Sequence, residues 1–328
     1  MDLILGLDGG GTKSVLAVAD RSGQIVTVLR GPGLSPSQGT DWPDDLAKLL
    51  AKVPASDCAC AVLGLPFHDE VPDYTARQKS VALALMGMRA TVVNDVQIAF
   101  SGAFAGRPGV LILAGTGSMA WASADGVAHL RVGGWGDLIG DEGSAFWIGA
   151  QAIARLSQCL DGRRDDAAFA CGMLDALGIT GDGLIAWAYR PGDRRAAVAA
   201  LARQVTGLAG FGNATASGIV ADAARHLAQH LTTAWRRVGQ SGVPVWTYAG
   251  GVFTDPGMRA RVTGLIGGPP QVPRLPPVGG ALLQAARQAG WTVDQNWVDR
   301  LAAGLAEKAE TRGGGRQAPA APKMKAKR

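Results

Sequence analysis

One pattern occurs twice in this chain and limits the folds open to it: an apolar strand, a glycine-rich turn that contains threonine, and a second apolar strand. The first copy spans residues 5–14, and the second starts at residue 109. This pattern is typical of an antiparallel hairpin. Two copies in a chain of 328 residues, long enough for about two domains, predict an internal duplication.

The segments around the two hairpins alternate between apolar strands and amphipathic helices. Strands are predicted at 2–7, 14–19, 24–29, 60–65, 90–93, 110–114, 119–122 and 245–249, and helices at 44–52, 74–86, 96–105, 144–160, 219–238 and 279–289. This alternation favours an α/β fold. We expect one domain at 1–107, a second at 108–308 whose last helix can pack back on the first, and a disordered basic tail at 309–328.

The charge of the chain does not favour a nucleic-acid partner. The net charge is +5, but six basic residues and no acidic residue follow Thr311, so the rest of the chain is close to neutral. Those bases are Arg312, Arg316, Lys323, Lys325, Lys327 and Arg328. No run reaches the roughly 18–20 apolar residues of a membrane span, and the N-terminus lacks a basic, apolar leader. We therefore expect a cytoplasmic protein without nucleic-acid or membrane partners.

The cysteines and histidines do not follow the spacing of a zinc site. The four cysteines are Cys58, Cys60, Cys159 and Cys171, and they fit neither a zinc ribbon nor a redox Cys-x-x-Cys pair. We expect them to be reduced and buried. His226 and His230 are four residues apart on a predicted helix, but no third ligand is near them.

The first glycine-rich turn reads Asp8-Gly9-Gly10-Gly11-Thr12-Lys13. It matches neither a P-loop nor a Rossmann fingerprint. Glycines leave backbone N–H groups open to phosphate oxygens, Thr12 can bond a phosphate, and Asp8 can hold Mg²⁺ through water. The alternative is a tight hairpin in which glycine only supplies the turn. The second turn, Gly115-Thr116-Gly117-Ser118, favours phosphate binding because two such hairpins could bracket a polyphosphate.

Asn94-Asp95 lies between an apolar strand and a helix. Asn and Asp commonly cap a helix N-terminus, which is worth about 1 kcal/mol. A carboxylate at this position can also accept a proton from an attacking hydroxyl group. The residues alone leave both interpretations open.

Residues 133–144 form the most distinctive segment, Gly-Gly-Trp-Gly-Asp-Leu-Ile-Gly-Asp-Glu-Gly-Ser. Five glycines in twelve residues disfavour both helix and strand and predict a loop. A tryptophan face together with carboxylates suits the apolar face and the paired hydroxyls of a sugar. The glycines also turn the chain before the helix that starts at Ser144.

These motifs, taken in order with Ala249-Gly-Gly-Val252, resemble the N-acetylglucosamine kinase branch of the BadF/BadG-type ATPase family, within the actin/hexokinase-like superfamily. The resemblance extends to about residue 290. It implies two ribonuclease-H-like domains that flank an ATP cleft, with ATP and Mg²⁺ bound there. It also implies a homodimer.

The resemblance assigns a role to each motif residue. The phosphates would be bound by Gly9, Gly10, Gly11, Thr12, Lys13 and Thr116, and the adenosine by Gly250 and Gly251. Asp8 would hold Mg²⁺ through water, and Asp95 would be the catalytic base. The amino sugar would be held by Asn94, Gly117, Ser118, Trp135, Gly136 and Asp141.

The implied function is an ATP-dependent kinase that phosphorylates the 6-hydroxyl of N-acetylglucosamine or glucosamine. The family often has an asparagine for the sugar hydroxyls in the loop after the third strand, where this chain offers Ser35, Ser37 and Gln38. This departure leaves the acetylated and the free amino sugar open. One alternative is an ATPase that activates a 2-hydroxyacyl-CoA dehydratase or benzoyl-CoA reductase, although the cysteines lack the iron–sulfur pattern of that group. A sugar or nucleotide sensor without turnover is another.

Overall fold

The computed structural model describes residues 2–37, 39 and 41–310. The chain forms two compact units. The first comprises the chain up to Gly102 together with the segment from Arg274 onward, and the second is Ala103–Pro273. The sequence suggested a change of domain after residue 107, with a last helix that can pack back on the first domain. The units change after Gly102 and again at Arg274, so the last two helices of the described chain group with the first unit.

The first unit contains a five-stranded sheet in the order β3-β2-β1-β4-β5. Its strands are β1 (Leu3–Gly9), β2 (Lys13–Asp20), β3 (Ile25–Pro32), β4 (Cys58–Leu65) and β5 (Ala90–Asn94). The first three form the predicted antiparallel meander, and β4 and β5 add parallel to β1. The parallel strands β1, β4 and β5 therefore end at the same edge of the sheet.

Three helices connect these strands: α1 (Trp42–Leu50), α2 (Pro72–Met86) and α3 (Asp95–Phe104). Leu46 of α1 and Met86 of α2 pack with buried strand residues such as Leu5 and Leu63 in one apolar core. All three helices lie where the spacing of apolar residues predicts them, within a few residues at each end. α3 begins immediately after β5, so Asp95 is its first residue.

The second unit contains a four-stranded sheet in the order β8-β7-β6-β9. Its strands are β6 (Gly109–Ala114), β7 (Ser118–Ser123), β8 (His129–Gly133) and β9 (Trp246–Ala249). β6, β7 and β8 form an antiparallel meander, and β9 pairs parallel with β6. This order repeats β3-β2-β1-β4 of the first unit, so the duplication predicted from the two hairpins is confirmed in the topology.

The rest of the second unit is mainly helical, and of its helices the sequence predicts α4 and α9 but not the other five. Its helices are α4 (Ala145–Leu160), α5 (Ala167–Leu177), α6 (Leu184–Ala188), α7 (Arg194–Ala200), α8 (Ala202–Gly210), α9 (Ala214–Arg237) and α10 (Pro256–Ile266). Ser144 caps α4 by accepting a hydrogen bond from the Trp147 amide at 3.1 Å. The buried face of α9, including Leu227 and Leu231, joins the apolar core beside the sheet.

The chain then returns to the first unit with α11 (Pro277–Gln288) and α12 (Gln295–Glu310). α11 packs so closely that a Cβ on Gly280 would lie 2.0 Å from the Ile98 carbonyl oxygen, and one on Gly6 would lie 2.8 Å from the Leu282 amide. Glycine is therefore required where α11 contacts α3 and β1. α12 includes residues 309 and 310, and the rest of the predicted tail lies outside the described residues.

Two further predictions concern membranes and cysteines. Within the described part of the chain, no single helix has the length and apolarity of a membrane span. The segments Ala167–Leu177 and Gly181–Ala188 reach that length and apolarity only when taken together, and they are bent by 58° relative to each other. Cys58 and Cys60 are buried as predicted, but Cys159 is half-buried and Cys171 is exposed, because both lie on helices that face solvent on one side.

Candidate active site

In the first unit, three of the predicted site residues lie at the edge where the parallel strands end. Asp8 pairs with Gly64 near the end of β1 and β4, and Leu65 pairs with Asn94 at the end of β4 and β5. In open α/β sheets, ligands bind beyond the carboxyl ends of the strands. The topology thus brings Asp8 and Asn94-Asp95 to an edge suited to binding.

Asp95 is partly buried, and its pKa is raised from 3.8 to about 6. The largest cause is desolvation, and the negative charges of Asp8 and Glu70 add to it, while a hydrogen bond from the Val96 amide opposes it. That amide also lies 2.9 Å from Oδ1 of Asn94. Asn94 therefore supplies the helix cap, and Asp95 has a pKa close to the value that suits a general base.

The Asn94 side chain is buried and its amide is held within the protein. Its Nδ2 donates to the His68 carbonyl oxygen at 2.8 Å and to Oε1 of Glu70 at 3.0 Å. The sequence predicts a sugar contact for Asn94, and the structure gives it these internal partners. Glu70 was missed, although its place five residues after β4 puts it at the same edge of the sheet.

The loop after β4 is strained and firmly held. Phe67 and Asp69 have φ of 62° and 60°, a left-handed conformation that costs about 1–2 kcal/mol for residues other than glycine. Between them, the buried His68 places Nδ1 2.8 Å from Oε1 of Gln78, whose Nε2 donates to the Pro66 carbonyl at 2.8 Å. This network fixes the loop that carries Glu70.

The first glycine turn links β1 and β2 and is braced by the loop after β3. The Leu34 amide donates to the Gly10 carbonyl at 3.0 Å, and a Cβ on Gly33 would lie 1.9 Å from the Gly11 carbonyl oxygen. Burial raises the pKa of Asp8, and Lys13 lowers it in part. No side chain in the described part of the chain forms a hydrogen bond or ion pair with Asp8. Its oxygens are thus available to a ligand.

The loop after β3 contains the serines that we considered as sugar contacts. Ser35 is buried, and its hydroxyl lies 2.9 Å from that of Ser37. Gln38 lies outside the described residues. The two serines thus bond to each other, which leaves the choice between acetylated and free amino sugars open.

In the second unit, the glycine turn and the segment 133–144 form one structure. The turn between β6 and β7 is closed by a bond from the Gly115 amide to the Gly117 carbonyl at 2.9 Å. The Ser118 hydroxyl donates to the Glu142 carbonyl at 2.7 Å, and the Ala145 amide donates to the Gly115 carbonyl at 2.8 Å. The predicted phosphate turn is therefore bonded directly to the predicted sugar loop.

Asp141 is the most constrained residue of that loop. It is buried, and its φ is 58°. Its Oδ1 lies 3.3 Å from the Gly136 amide, and its Oδ2 lies 2.7 Å from Nη2 of Arg195, whose Nε is 3.2 Å from Oδ1 of Asp137. Arg195 was not predicted, because it comes from a distant, arginine-rich segment with no motif of its own.

Trp135 is 67% exposed, and the Arg131 guanidinium lies 5.6 Å from its ring centroid. The neighbouring Leu138 and Ile139 are more exposed still. An aromatic face that is open to solvent can stack on the apolar face of a sugar ring.

A cavity of about 520 Å³ adjoins the second glycine turn. Gly115 and Thr116 line it from the turn, and Gly251 and Asp255 line it from the loop after β9. Gly250 has φ of 99°, and a Cβ there would lie 2.3 Å from the Ala114 carbonyl oxygen. Glycine at 250 thus lets the two loops approach, and the cavity beside them is large enough for a nucleoside.

His226 and His230 point to different partners. The His226 ring packs edge-on against Trp147 at 5.1 Å, and Nε2 of His230 lies 3.6 Å from Oε2 of Glu142. Burial lowers the pKa of His230, and Glu142 partly opposes this. Across residues 2–37, 39 and 41–310, no group of three or more side chains is arranged to hold a metal ion by itself.

The chain is similar in sequence and in structure to sugar kinases. The chain is 29% identical over 266 residues to the N-acetylmuramic acid/N-acetylglucosamine kinase of Clostridium acetobutylicum, covering 78% of this chain and 87% of that protein. The structure of a candidate N-acetylglucosamine kinase from Chromobacterium violaceum is 26% identical, with a TM-score of 0.69 over 87% of this chain and 99% of that chain.

A second such structure, from Porphyromonas gingivalis, is 19% identical with a TM-score of 0.61, over 88% of this chain and 99% of that chain, and it supports the fold alone. The sequence model of the BadF/BadG/BcrA/BcrD ATPase family matches residues 5–285, which is most of the chain. The chain therefore belongs to the BadF/BadG/BcrA/BcrD ATPase family.

Proposed function

We propose that this protein is an ATP-dependent kinase that phosphorylates the 6-hydroxyl of an amino sugar, either N-acetylglucosamine or glucosamine. The kinase names of its relatives support a sugar kinase. The observation that carries the proposal is Asp95, a partly buried carboxylate with a pKa of about 6 at the carboxyl edge of three parallel strands. General bases work best when their pKa is near the working pH.

In the proposed reaction, the Asp95 carboxylate accepts the proton of the sugar 6-hydroxyl as that oxygen attacks the γ-phosphorus of ATP. A new P–O bond forms to the sugar, and the bond between the γ-phosphorus and the bridging oxygen of ADP breaks. The proton then leaves Asp95 for solvent, which restores the base. Catalysis in phosphoryl transfer is mostly positioning and charge stabilisation, so a single base suffices.

The phosphates would be held by backbone N–H groups of the two glycine turns, at Gly9–Gly11 with Thr12 and Lys13, and at Thr116. In the described part of the chain, no side chain forms a hydrogen bond or ion pair with the half-buried Asp8 carboxylate, although the Lys13 charge acts on it. This hard oxygen donor fits Mg²⁺ through water. When bound, Mg²⁺ would neutralise charge on the phosphate oxygens. Gly251, which lines the 520 Å³ cavity, would border the adenosine there, together with the preceding Gly250.

The sugar would stack on the exposed face of Trp135 and bond through its hydroxyls to Asp141 and Ser118, with Gly117 and Gly136 beside them. The sugar contact of Asn94 stays a prediction of the family resemblance. Asp141 can still accept hydrogen bonds, because each carboxylate oxygen has two lone pairs and only one donor contacts each. The homodimer stays a prediction of the family resemblance.

An ADP-release assay with MgATP tests the proposal. The panel contains N-acetylglucosamine, glucosamine, N-acetylmannosamine, N-acetylmuramic acid, glucose and a blank without sugar. Strong turnover with N-acetylglucosamine or glucosamine supports the kinase and settles the question of acetylation. Equal release in every well, including the blank, indicates an ATPase instead. Sugar binding by calorimetry without ADP release indicates a sensor.

A further inference from the structure

Helix α7 faces the 520 Å³ cavity on one side. Ala196, Ala199 and Ala200 line that cavity together with Gly115 and Thr116 of the second glycine turn. The three alanines form a smooth, apolar strip that offers a ligand van der Waals contact without a hydrogen bond. This strip is the part of α7 that a bound nucleoside would touch.

α7 also holds the sugar loop, through Arg195, which lies one turn before Ala199 on a neighbouring part of the helix surface. The guanidinium bonds two carboxylates of that loop, Asp141 at 2.7 Å and Asp137 at 3.2 Å. A Cβ on Gly117 would lie 2.5 Å from Oδ2 of Asp141 and 3.0 Å from Nη2 of Arg195. The glycine turn is therefore packed directly on the Arg195–Asp141 pair.

The position of α7 depends on such contacts, because the helix itself is short. It has seven residues, and Val198 is its buried side chain. Its N-terminus is capped by Asp193, and its backbone rests on α4 where a Cβ on Gly149 would lie 2.0 Å from the Val198 carbonyl oxygen. Four of its seven residues are exposed, so a ligand that packs on the cavity side of α7 adds contacts there and holds the helix more firmly.

We propose that Arg195 is a positioning residue that couples the nucleotide cavity to the sugar loop. A nucleotide packed against the alanine strip fixes α7, and Arg195 then holds Asp141 in the orientation that binds the sugar hydroxyls. The coupling rests on the proposed kinase function. It extends that function from the identity of the two substrates to the effect that binding of one has on the affinity for the other. By linkage, each substrate tightens the binding of the other by the same factor.

Titration calorimetry measures this coupling directly. The sugar Kd is measured with and without a non-hydrolysable ATP analogue and Mg²⁺, using whichever sugar of the panel turns over. For the wild type we expect the analogue to tighten sugar binding about 5-fold or more. Arg195→Ala should bind the analogue alone as the wild type does, bind sugar more weakly, and show a ratio near 1. Arg195→Lys should restore part of the ratio, since a cation can still reach Asp141.

Arg194→Ala is the matched control. Arg194 is the neighbouring residue on the same helix, it is exposed, and it contacts neither Asp137 nor Asp141 in the described structure. Its variant should keep the wild-type ratio. A wild-type ratio of 1, or an unchanged ratio in Arg195→Ala, overturns the proposal.

Hydrogen exchange separates this inference from the kinase assignment. The analogue alone should slow amide exchange in peptides covering residues 133–144 of the wild type and of Arg194→Ala, but not of Arg195→Ala. If no sugar binds at all, the kinase assignment fails while this measurement still tests the coupling. Unslowed exchange in the wild type at saturating analogue, or no binding of the analogue, overturns the coupling.

Discussion

Nδ2 of Asn94 lies 3.0 Å from Oε1 of Glu70, and this hydrogen bond ties the residue before the proposed base to the strained loop after β4. Because Asn94 is buried and also caps α3, the bond fixes where α3 begins. The Glu70 charge in addition raises the pKa of Asp95. Glu70 thus acts on Asp95 both through geometry and through charge.

Glu70→Gln should keep the hydrogen bond but remove the charge. We expect the acidic limb of kcat/KM for the sugar to move to lower pH, because a negative neighbour that raises the pKa of Asp95 is gone. The rate at pH 8 should stay within about 2-fold. Glu70→Ala should lose roughly 10-fold in kcat, since the Asn94 amide loses an acceptor.

Asp69→Asn controls for the loss of a carboxylate in the same loop. Asp69 faces Lys79 at 3.8 Å and His68 at 3.6 Å and does not contribute to the shift at Asp95. Its pH profile should match the wild type. If the acidic limb of kcat/KM moved equally in Asp69→Asn and Glu70→Gln, the role given to Glu70 would be contradicted.

Asp95→Asn should abolish most turnover while making the fold more stable at neutral pH. We expect kcat to fall at least about 100-fold, because the amide cannot accept the hydroxyl proton. The pKa of Asp95 is raised in the folded protein, so the wild type binds a proton more tightly when folded and loses stability as the pH rises through about 6. Asp95→Asn does not show this loss, because an amide carries no charge at any of these pH values.

The stability part is measured by urea unfolding at pH 4 and pH 8. Asp95→Asn should exceed the wild type by about 1–2 kcal/mol at pH 8 and differ little at pH 4. Equal stabilities at pH 8 would show that Asp95 is not desolvated, and full turnover by the variant would exclude it as the base.

Local sequence patterns predicted eight of the nine strands in the described part of the chain, because strands and hairpin turns carry strong local signals. β8, whose five residues are all only half-buried, was not predicted. The apolar runs, the glycine turns and the capping Ser144 all lie where their spacing places them. What could not be predicted depends on contacts between distant segments. Arg195 forms a hydrogen bond with Asp141, which is 54 residues away in the sequence, and Glu70 accepts one from Asn94, which is 24 residues away. Neither residue belongs to a motif, so only the folded chain assigns them partners.

The same limit applies to the domain boundaries. The sequence marks a restart at Gly109, and we expected that the last helix can pack back on the first domain, but the sequence does not specify that α11 contacts β1 and α3. That packing depends on close backbone approaches at Gly6 and Gly280. Because glycine has no side chain, these two positions do not add to the apolar pattern from which buried contacts are predicted. The hydrogen-bond partners of Asn94 could not be predicted either, since His68 and Glu70 lie in a loop without regular periodicity.

Gly149→Ala should disturb the contact between α4 and α7. A Cβ there would lie 2.0 Å from the Val198 backbone carbonyl, so α7 must move away. We expect a loss of about 1–3 kcal/mol in the free energy of unfolding, as for other overpacked cores. Gly207→Ala is the control, because Gly207 is an exposed helical glycine with open space around it, and alanine there should stabilise α8 by about 0.5–1 kcal/mol. Thermal melts of both variants test this pair, and equal effects would contradict the packing at Gly149.

Gly250→Ala and Gly251→Ala should separate a structural glycine from a ligand-facing one. Gly250 has φ of 99°, and its Cβ would lie 2.3 Å from the Ala114 carbonyl oxygen, so alanine should cost about 2–3 kcal/mol of stability. Gly251 has no atom within 4 Å of its Cβ position and lines the 520 Å³ cavity, so alanine should leave the melting temperature unchanged. If the adenosine lies there, the added methyl group should raise the KM for ATP about 5- to 10-fold, with the KM for the sugar unaltered. Steady-state kinetics with each substrate varied in turn measure both constants, and an unchanged KM for ATP in Gly251→Ala would place the adenosine elsewhere.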